Sequence, residues 1–115
     1  MLPKKHRLSK STEVKKTTAK GRSFFNPYFV VKSLKGEGVA RFTVIVSTKV
    51  SKKAVVRNSL KRIIRDELKN FVQSFPAGSY AFIVKPSAAK VVSSELRKQI
   101  KSAIASNQPK FKWSI

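Results

Sequence analysis

The sequence predicts an α+β fold, a two-layer sandwich in which helices pack on a small sheet. Three observations predict it. The chain has 115 residues, enough for one domain with one modest core. Segments of period two, rich in β-branched and aromatic residues, come together early in the chain. Segments of period three to four precede them and then interleave with a later strand, giving the order helix, strands, helix, strand, helix.

Composition narrows the class. Apolar residues make up 41% of the chain, an ordinary share for a folded domain and too high for a disordered polycation. Lys and Arg number 26 against 5 Asp and Glu, a formal net charge of +21. Self-repulsion at that charge opposes compaction unless a polyanion neutralises it. Nucleic acid, an anionic membrane surface and an acidic protein each fit. The chain has no cysteine, which excludes disulfides and thiolate metal sites. One histidine and five scattered carboxylates make no metal site, and no cofactor held by the protein is expected. No apolar run approaches the roughly 20 residues of a membrane span. The basic N-terminus lacks the apolar stretch of a secretory signal. The class that remains is a soluble, cytoplasmic, polyanion-binding domain with no membrane role.

The elements follow in order. Residues 1–8 are strongly basic and, like 107–115, are expected to be loosely ordered within a single domain, 1–115. Ser9 or Ser11 caps a short first helix, with Glu13 in its first turn, where a negative charge suits the helix dipole. Gly21 ends it. Arg22 to Tyr28 reads as a short extended piece interrupted at Pro27. Phe29 to Leu34 is a strand, with Phe29 and Val31 on one side and Val30, Lys32 and Leu34 on the other. The glycines of Lys35-Gly-Glu-Gly38 mark a loop. Val39 to Thr48 is the clearest strand, with Phe42, Val44 and Val46 on one face, and it is expected to form an antiparallel hairpin with the strand before it. A long helix runs from Lys52 or Ala54 to Phe75, stopped by Pro76 and Gly78. Tyr80 to Lys85 is a further strand. A last helix, from Ser93 to Ser106, carries Leu96, Ile100 and Ile104 at steps of four.

Function is concentrated on the long helix. Val56, Leu60, Ile63, Ile64, Leu68 and Phe71 recur at steps of three and four and make a core-facing stripe. Lys53, Arg57, Lys61 and Arg65 recur at i to i+4, with Asn58 and Arg62 beside them. Like charges at that spacing destabilise a helix by a few tenths of a kcal/mol per pair. Three consecutive steps with no acid between them ask for an external counter-charge. Arg offers phosphate a bidentate donor pair, Lys a point charge, and Asn can both donate and accept in a groove or at a 2′-hydroxyl. Glu67 falls on the apolar side of the helical wheel, without an evident reason.

The run Lys53 to Arg65, with its core Arg57-Asn58-x-x-Lys61-Arg62-x-x-Arg65 preceded by Ala54-Val55, closely resembles the signature of the protein subunit of bacterial ribonuclease P. Arg7-Leu8, Gly21, Phe29-Val30, Arg41 to Ser47 and Lys49 extend the likeness over nearly the whole chain. The resemblance implies the element order αβββαβα, similar to a ribosomal-protein domain, with a left-handed βαβ crossover, and makes Arg22 to Asn26 the first strand. It implies an accessory subunit that binds a catalytic RNA and the 5′ leader of precursor tRNA, assisting endonucleolytic 5′ maturation. Catalysis and its magnesium ions belong to the RNA, and no further protein partner is required. RNA contacts carry over to Lys49, Lys53, Arg57, Asn58, Lys61, Arg62 and Arg65. A cleft between the first helix and the sheet, which takes the leader, carries over to Lys10, Val14, Thr18, Val30 and Lys32. Where the family often has aromatics on the first helix, this chain has Val14 and Thr18. Phe24, Phe25 and Tyr28 are then the available stacking groups, although the same residues suit a core.

Other features carry no chemistry. His6 has no acid or nucleophile in sequence to work with and suits the surface. Asp66 and Glu67 suit helix salt bridges. No general acid and base pair is evident, so the polypeptide by itself is expected to have no active site. A ribosomal or assembly protein and a sequence-tolerant RNA chaperone are the rival functions of a basic domain like this.

Overall fold

The computed structural model describes residues 4–8, 11–36, 38–72 and 75–111, without the side chains of residues 4, 11 and 104–111. The elements are α1 (Ser11–Lys20), β1 (Arg22–Phe25), β2 (Phe29–Lys35), β3 (Ala40–Ile45), α2 (Ala54–Lys69), β4 (Gly78–Val84) and α3 (Ser93–Phe111). Short 3-10 turns occupy Lys4–His6 and Pro86–Lys90. This is the order αβββαβα. The weak extended segment after Gly21 is indeed a strand, and α3 runs five residues past the predicted Ser106.

The sheet order is β1-β2-β4-β3. The predicted hairpin between β2 and β3 does not form. Instead β4 lies between them, antiparallel to β2 and parallel to β3. The reason lies in β4 itself. Its sequence GSYAFIV is apolar at both parities, and Tyr80, Ala81 and Phe82 are all fully buried. A strand apolar on both faces gains most at the centre of a sheet. The loop after β2 therefore passes over the start of β4 instead of turning back. The Gly36 amide donates to the Ala77 carbonyl, and a Cβ on Gly36 would sit 3.2 Å from the Gly78 Cα. The hairpin in the sheet is β1 with β2, in which Phe24 faces Val31 and Phe25 faces Val30.

One sheet face carries the core. Phe29, Val31, Phe42, Val44, Tyr80 and Phe82 point to it and meet Leu60, Ile63, Ile64 and Leu68 of α2 and Leu96 and Ile100 of α3. Val56 and Phe71 complete the predicted α2 stripe from its half-buried ends. The helix stops at Lys69, short of the predicted Phe75. Phe75 is needed elsewhere: its ring packs edge-on against Phe42 at 4.9 Å and against Tyr80 at 5.0 Å. A continued helix could not deliver it there.

The other face carries α1. Glu13 pairs with Arg41 at 3.8 Å, and Lys16 and Thr17 stand with Leu34, Arg41 and Ser79, which the sheet register places on this side. Close approach depends on small residues. Thr17 is fully buried, with its hydroxyl donating to the Glu13 carbonyl. A Cβ at Gly21 would collide with the Thr17 carbonyl oxygen and crowd the Ser33 backbone.

The segment before α1 closes the outer edge of β3. Leu8 N–H donates to the Phe42 carbonyl, Arg7 bridges Phe42 in parallel, and Leu8 is buried. His6 is buried too, against the surface position that the sequence suggested. Its Nδ1 donates to the Ala40 carbonyl at 2.8 Å, and this bond spends its polarity on the otherwise unpaired strand edge.

Candidate nucleic-acid interface

The first candidate surface is the outer face of α2. The apolar stripe turns the helix so that Lys53, Arg57, Lys61 and Arg65 line up away from the core. Lys53 is exposed, as are Asn58 and Arg62 beside it. Arg57, Lys61 and Arg65 are half-buried. Asn58, Lys61, Arg62, Arg65 and Asp66 surround a depression of about 370 Å³. Lys49 lies exposed in the turn that leads from β3 to α2.

The local structure leaves this face strongly positive. Lys53 caps the helix in an extended conformation without a side-chain bond, and no acid occupies the first turn. The uncompensated positive end of the helix dipole therefore adds to the cations. Arg57 is anchored: its guanidinium donates to the Ser51 carbonyl at 2.9 Å, which steadies the bend entering the helix. Among the described residues, none of Lys53, Arg57, Lys61 or Arg65 forms an ion pair. The acids of α2 are turned toward α3. Arg97 donates to Glu67 at 3.1 Å and lies 3.7 Å from Asp66, while Lys101 reaches Glu67 at 4.0 Å. This accounts for Glu67 on the apolar side of the wheel. It is a buried charge that locks α2 to α3.

The second candidate surface lies on the α1-bearing sheet face beside α1, where α1 leaves several sheet side chains partly open. The register brings together Ser23, Lys32, Ala81 and Thr43 in one row, and Phe25, Val30, Ile83 and Ile45 in the next. Lys32 Nζ donates to Ser23 Oγ across the strands. Phe25 is 74% exposed, and Val30, Lys32, Ile45 and Ile83 are half-buried. Val14 and Thr18 are half-buried on α1, and the Thr18 hydroxyl is spent on the Lys15 carbonyl at 3.0 Å.

Phe24 does not belong to this surface. It alternates with Phe25, so it points through the sheet into the core and is only 8% exposed. Its ring lies under the Arg22 guanidinium at 5.7 Å. Tyr28 is half-buried against the core, its amide held by the Asn26 side chain. Phe25 is therefore the aromatic that this face offers. Lys10 lies outside the described residues. Ile45, Ile83 and Thr43 were not singled out from sequence, although a signal exists. Gly78–Val84 is largely apolar at both parities, and Val30 and Leu34 of Phe29–Lys35 and Ile45 of Ala40–Ile45 lie on the parity opposite the core, more apolar surface than one buried face requires.

No helix among the described residues is long and apolar enough to cross a membrane. The family model described as Ribonuclease P matches residues 2–107. The chain is 36% identical over 103 residues to the ribonuclease P protein component of Listeria monocytogenes, a match covering 86% of this chain and 85% of that protein. It is 35% identical over 103 residues to the corresponding protein of Bacillus cereus, covering 86% and 88%. The solved RNase P protein from Staphylococcus aureus superposes with a TM-score of 0.79 at 26% identity, over 100% of this chain and 98% of that chain.

Proposed function

Because the chain belongs to the ribonuclease P protein family, a component of a bacterial tRNA-processing ribonucleoprotein, we propose that it binds through α2 to the RNA subunit and through the open sheet face to the 5′ leader of precursor tRNA. The observation that carries this reading is the cation row of α2, which has no ion-pair partner among the described residues. A stable fold holds such a row where a polyanion supplies the counter-charge.

The two surfaces lie on opposite sides of the sheet, so one molecule can touch two RNA segments at once. Lys49, Lys53, Arg57, Asn58, Lys61, Arg62 and Arg65 meet the RNA subunit. Phe25, Val30 and Lys32, with Val14 and Thr18 of α1, take the single-stranded leader, whose bases need an apolar platform and whose phosphates need a cation. The polypeptide performs no bond chemistry. Magnesium and catalysis are assigned to the RNA, and the protein favours precursor over product by contacts that only the leader can make.

The test combines the protein with a ribonuclease P RNA and precursor tRNA at low magnesium. The expected result is a several-fold gain in 5′ cleavage over RNA alone. No gain with a cognate RNA, together with co-sedimentation on ribosomal subunits, would replace this reading with an assembly role.

A further inference from the structure

A hollow of about 220 Å³ lies between α1, the end of β2 and the starts of β3 and β4. Neither RNA surface proposed above includes it. Glu13, Lys16 and Thr17 of α1 line it, whereas Val14 and Thr18 fall on the next flank of that helix. Three cations stand on its wall, one from each of three elements: Lys16 from α1, Lys35 from the end of β2 and Arg41 from β3. Only the fold brings them together. A cleft lined by one sign of charge focuses the field and concentrates counter-ions.

Little within the protein answers this charge. Among the described residues, Glu13 is the one acid on the wall. It lies 3.8 Å from Arg41, and both side chains are partly exposed, so the pair is loose. Lys16 and Lys35 are exposed, the Ser79 side chain is half-buried, and none of the three has a partner among the described residues. Other polar groups on this side of the sheet are already spent: the Thr17 hydroxyl on the Glu13 carbonyl, the Lys32 ammonium on Ser23. The hollow is kept open by Gly36 and Gly78, which both line it and whose backbones cross closely, with a Cβ on Gly36 only 3.2 Å from the Gly78 Cα.

The lining selects the occupant. No aromatic side chain borders the hollow among the described residues, so a base has nothing to stack on. Ammonium, guanidinium and hydroxyl donors arriving from separate elements suit an anion with acceptors on several sides. We infer that this hollow binds a phosphate group, held by Lys16, Lys35 and Arg41 with Ser79 as a further donor. Leu34 on its wall lies two residues along β2 from Lys32, roughly 7 Å. A backbone phosphate of bound RNA and free phosphate are the two sources of the same group.

The test titrates inorganic phosphate into 15N-labelled protein at constant ionic strength. The amide shifts of Gly36, Gly78 and Ser79 are followed beside those of Arg57 to Arg65, and the amides of the hollow should saturate. In Lys16→Ala/Lys35→Ala the affinity read at the hollow should fall about fivefold or more, the worth of two exposed charge contacts, while that read on α2 holds. Lys15→Ala/Lys20→Ala removes the same charge from exposed positions of α1 outside the hollow, and should leave the affinity unchanged. Equal losses in the two variants would reduce the effect to net charge and overturn the site, as would shifts that never saturate. Glu13→Gln should tighten phosphate about two- to fivefold. A weakening instead would overturn the proposal, because an acid needed for binding marks a site for a cation. The source is read with ribonuclease P RNA and with precursor tRNA over a range of potassium chloride concentrations. If an RNA phosphate fills the hollow, Lys16→Ala/Lys35→Ala flattens the salt slope of one of them by roughly 0.7–0.9 more than Lys15→Ala/Lys20→Ala does, one phosphate contact. Equal slopes, with inorganic phosphate binding lost, assign the site to free phosphate. The phosphate titration stands apart from the RNA reading, so either can fail without the other.

Discussion

Two buried polar side chains show how single residues hold this basic domain together. Glu67 is 4% exposed, yet it sits among Arg97 and Lys101 of α3. In a chain of net charge +21 a carboxylate is scarce, and this one joins the helix that carries the cation row to its neighbour. Glu67→Ala should lower stability by about 2 kcal/mol, the usual scale for a hydrogen bond to a charged group. Urea denaturation measures it, and an unchanged midpoint would mean that Arg97 finds equivalent partners. Tyr80 is fully buried, its hydroxyl donating to the Pro76 carbonyl at 2.6 Å. Burial pushes its phenol well above the ordinary range. The unfolded chain therefore loses this proton near pH 10 while the folded protein keeps it. The stabilisation it gives is full below about pH 10 and falls as pH rises beyond it. Tyr80→Phe should reduce that alkaline loss, seen as a shallower fall of the thermal midpoint above pH 10. Parallel curves for the two proteins would exclude Tyr80 as the cause.

Elements are arranged so that each sheet face does a different job. The α2 and α3 helices bury most of one face. The short α1, held close by Thr17 and Gly21, covers only part of the other. Gly21→Ala should destabilise the fold by about 1–3 kcal/mol, the usual cost of forcing extra atoms into a tight contact. A thermal midpoint equal to that of the unaltered protein would show that α1 can lift without cost. The uncovered rows leave Phe25 as the exposed aromatic beside Val30, Ile45 and Ile83. Phe25→Ala should weaken precursor tRNA binding by about 1–3 kcal/mol, the usual worth of one base stacked on an aromatic ring. Mature tRNA binding should hardly change. Equal losses for both ligands would take Phe25 out of the leader surface.

At the scale of the whole molecule, like charges are crowded onto a small body. The radius of gyration is 13.2 Å, that expected for a compact domain of this length, about 13 Å. Burial of apolar surface therefore overcomes the self-repulsion, but anions that bind only the folded form should add stability. Sulfate should raise the thermal midpoint more than chloride at equal ionic strength. Equal shifts would reduce the effect to general screening.

The sequence by itself determined the local and the charged features. The apolar stripe from Val56 to Phe71, the cation row from Lys53 to Arg65 and the alternation of Phe42, Val44 and Val46 are periodic within one segment. Periodicity fixes which face a residue occupies before any tertiary contact forms. Tertiary structure alone decided which strands are neighbours, because β4 takes the centre by burying both of its faces, a gain that adjacency in sequence does not reveal. It also decided that His6 is buried, because the free edge of β3 needs a partner, and that Phe24 and Phe25 part to opposite faces. The helix end at Lys69 was decided by the pull of Phe75 into the core. The basic helix was legible from the start. On the open face, Phe25, Val30 and Lys32 were reached through the family resemblance, but Ile45 and Ile83 were not legible, since their row exists only where four strands meet beside a helix too short to cover them.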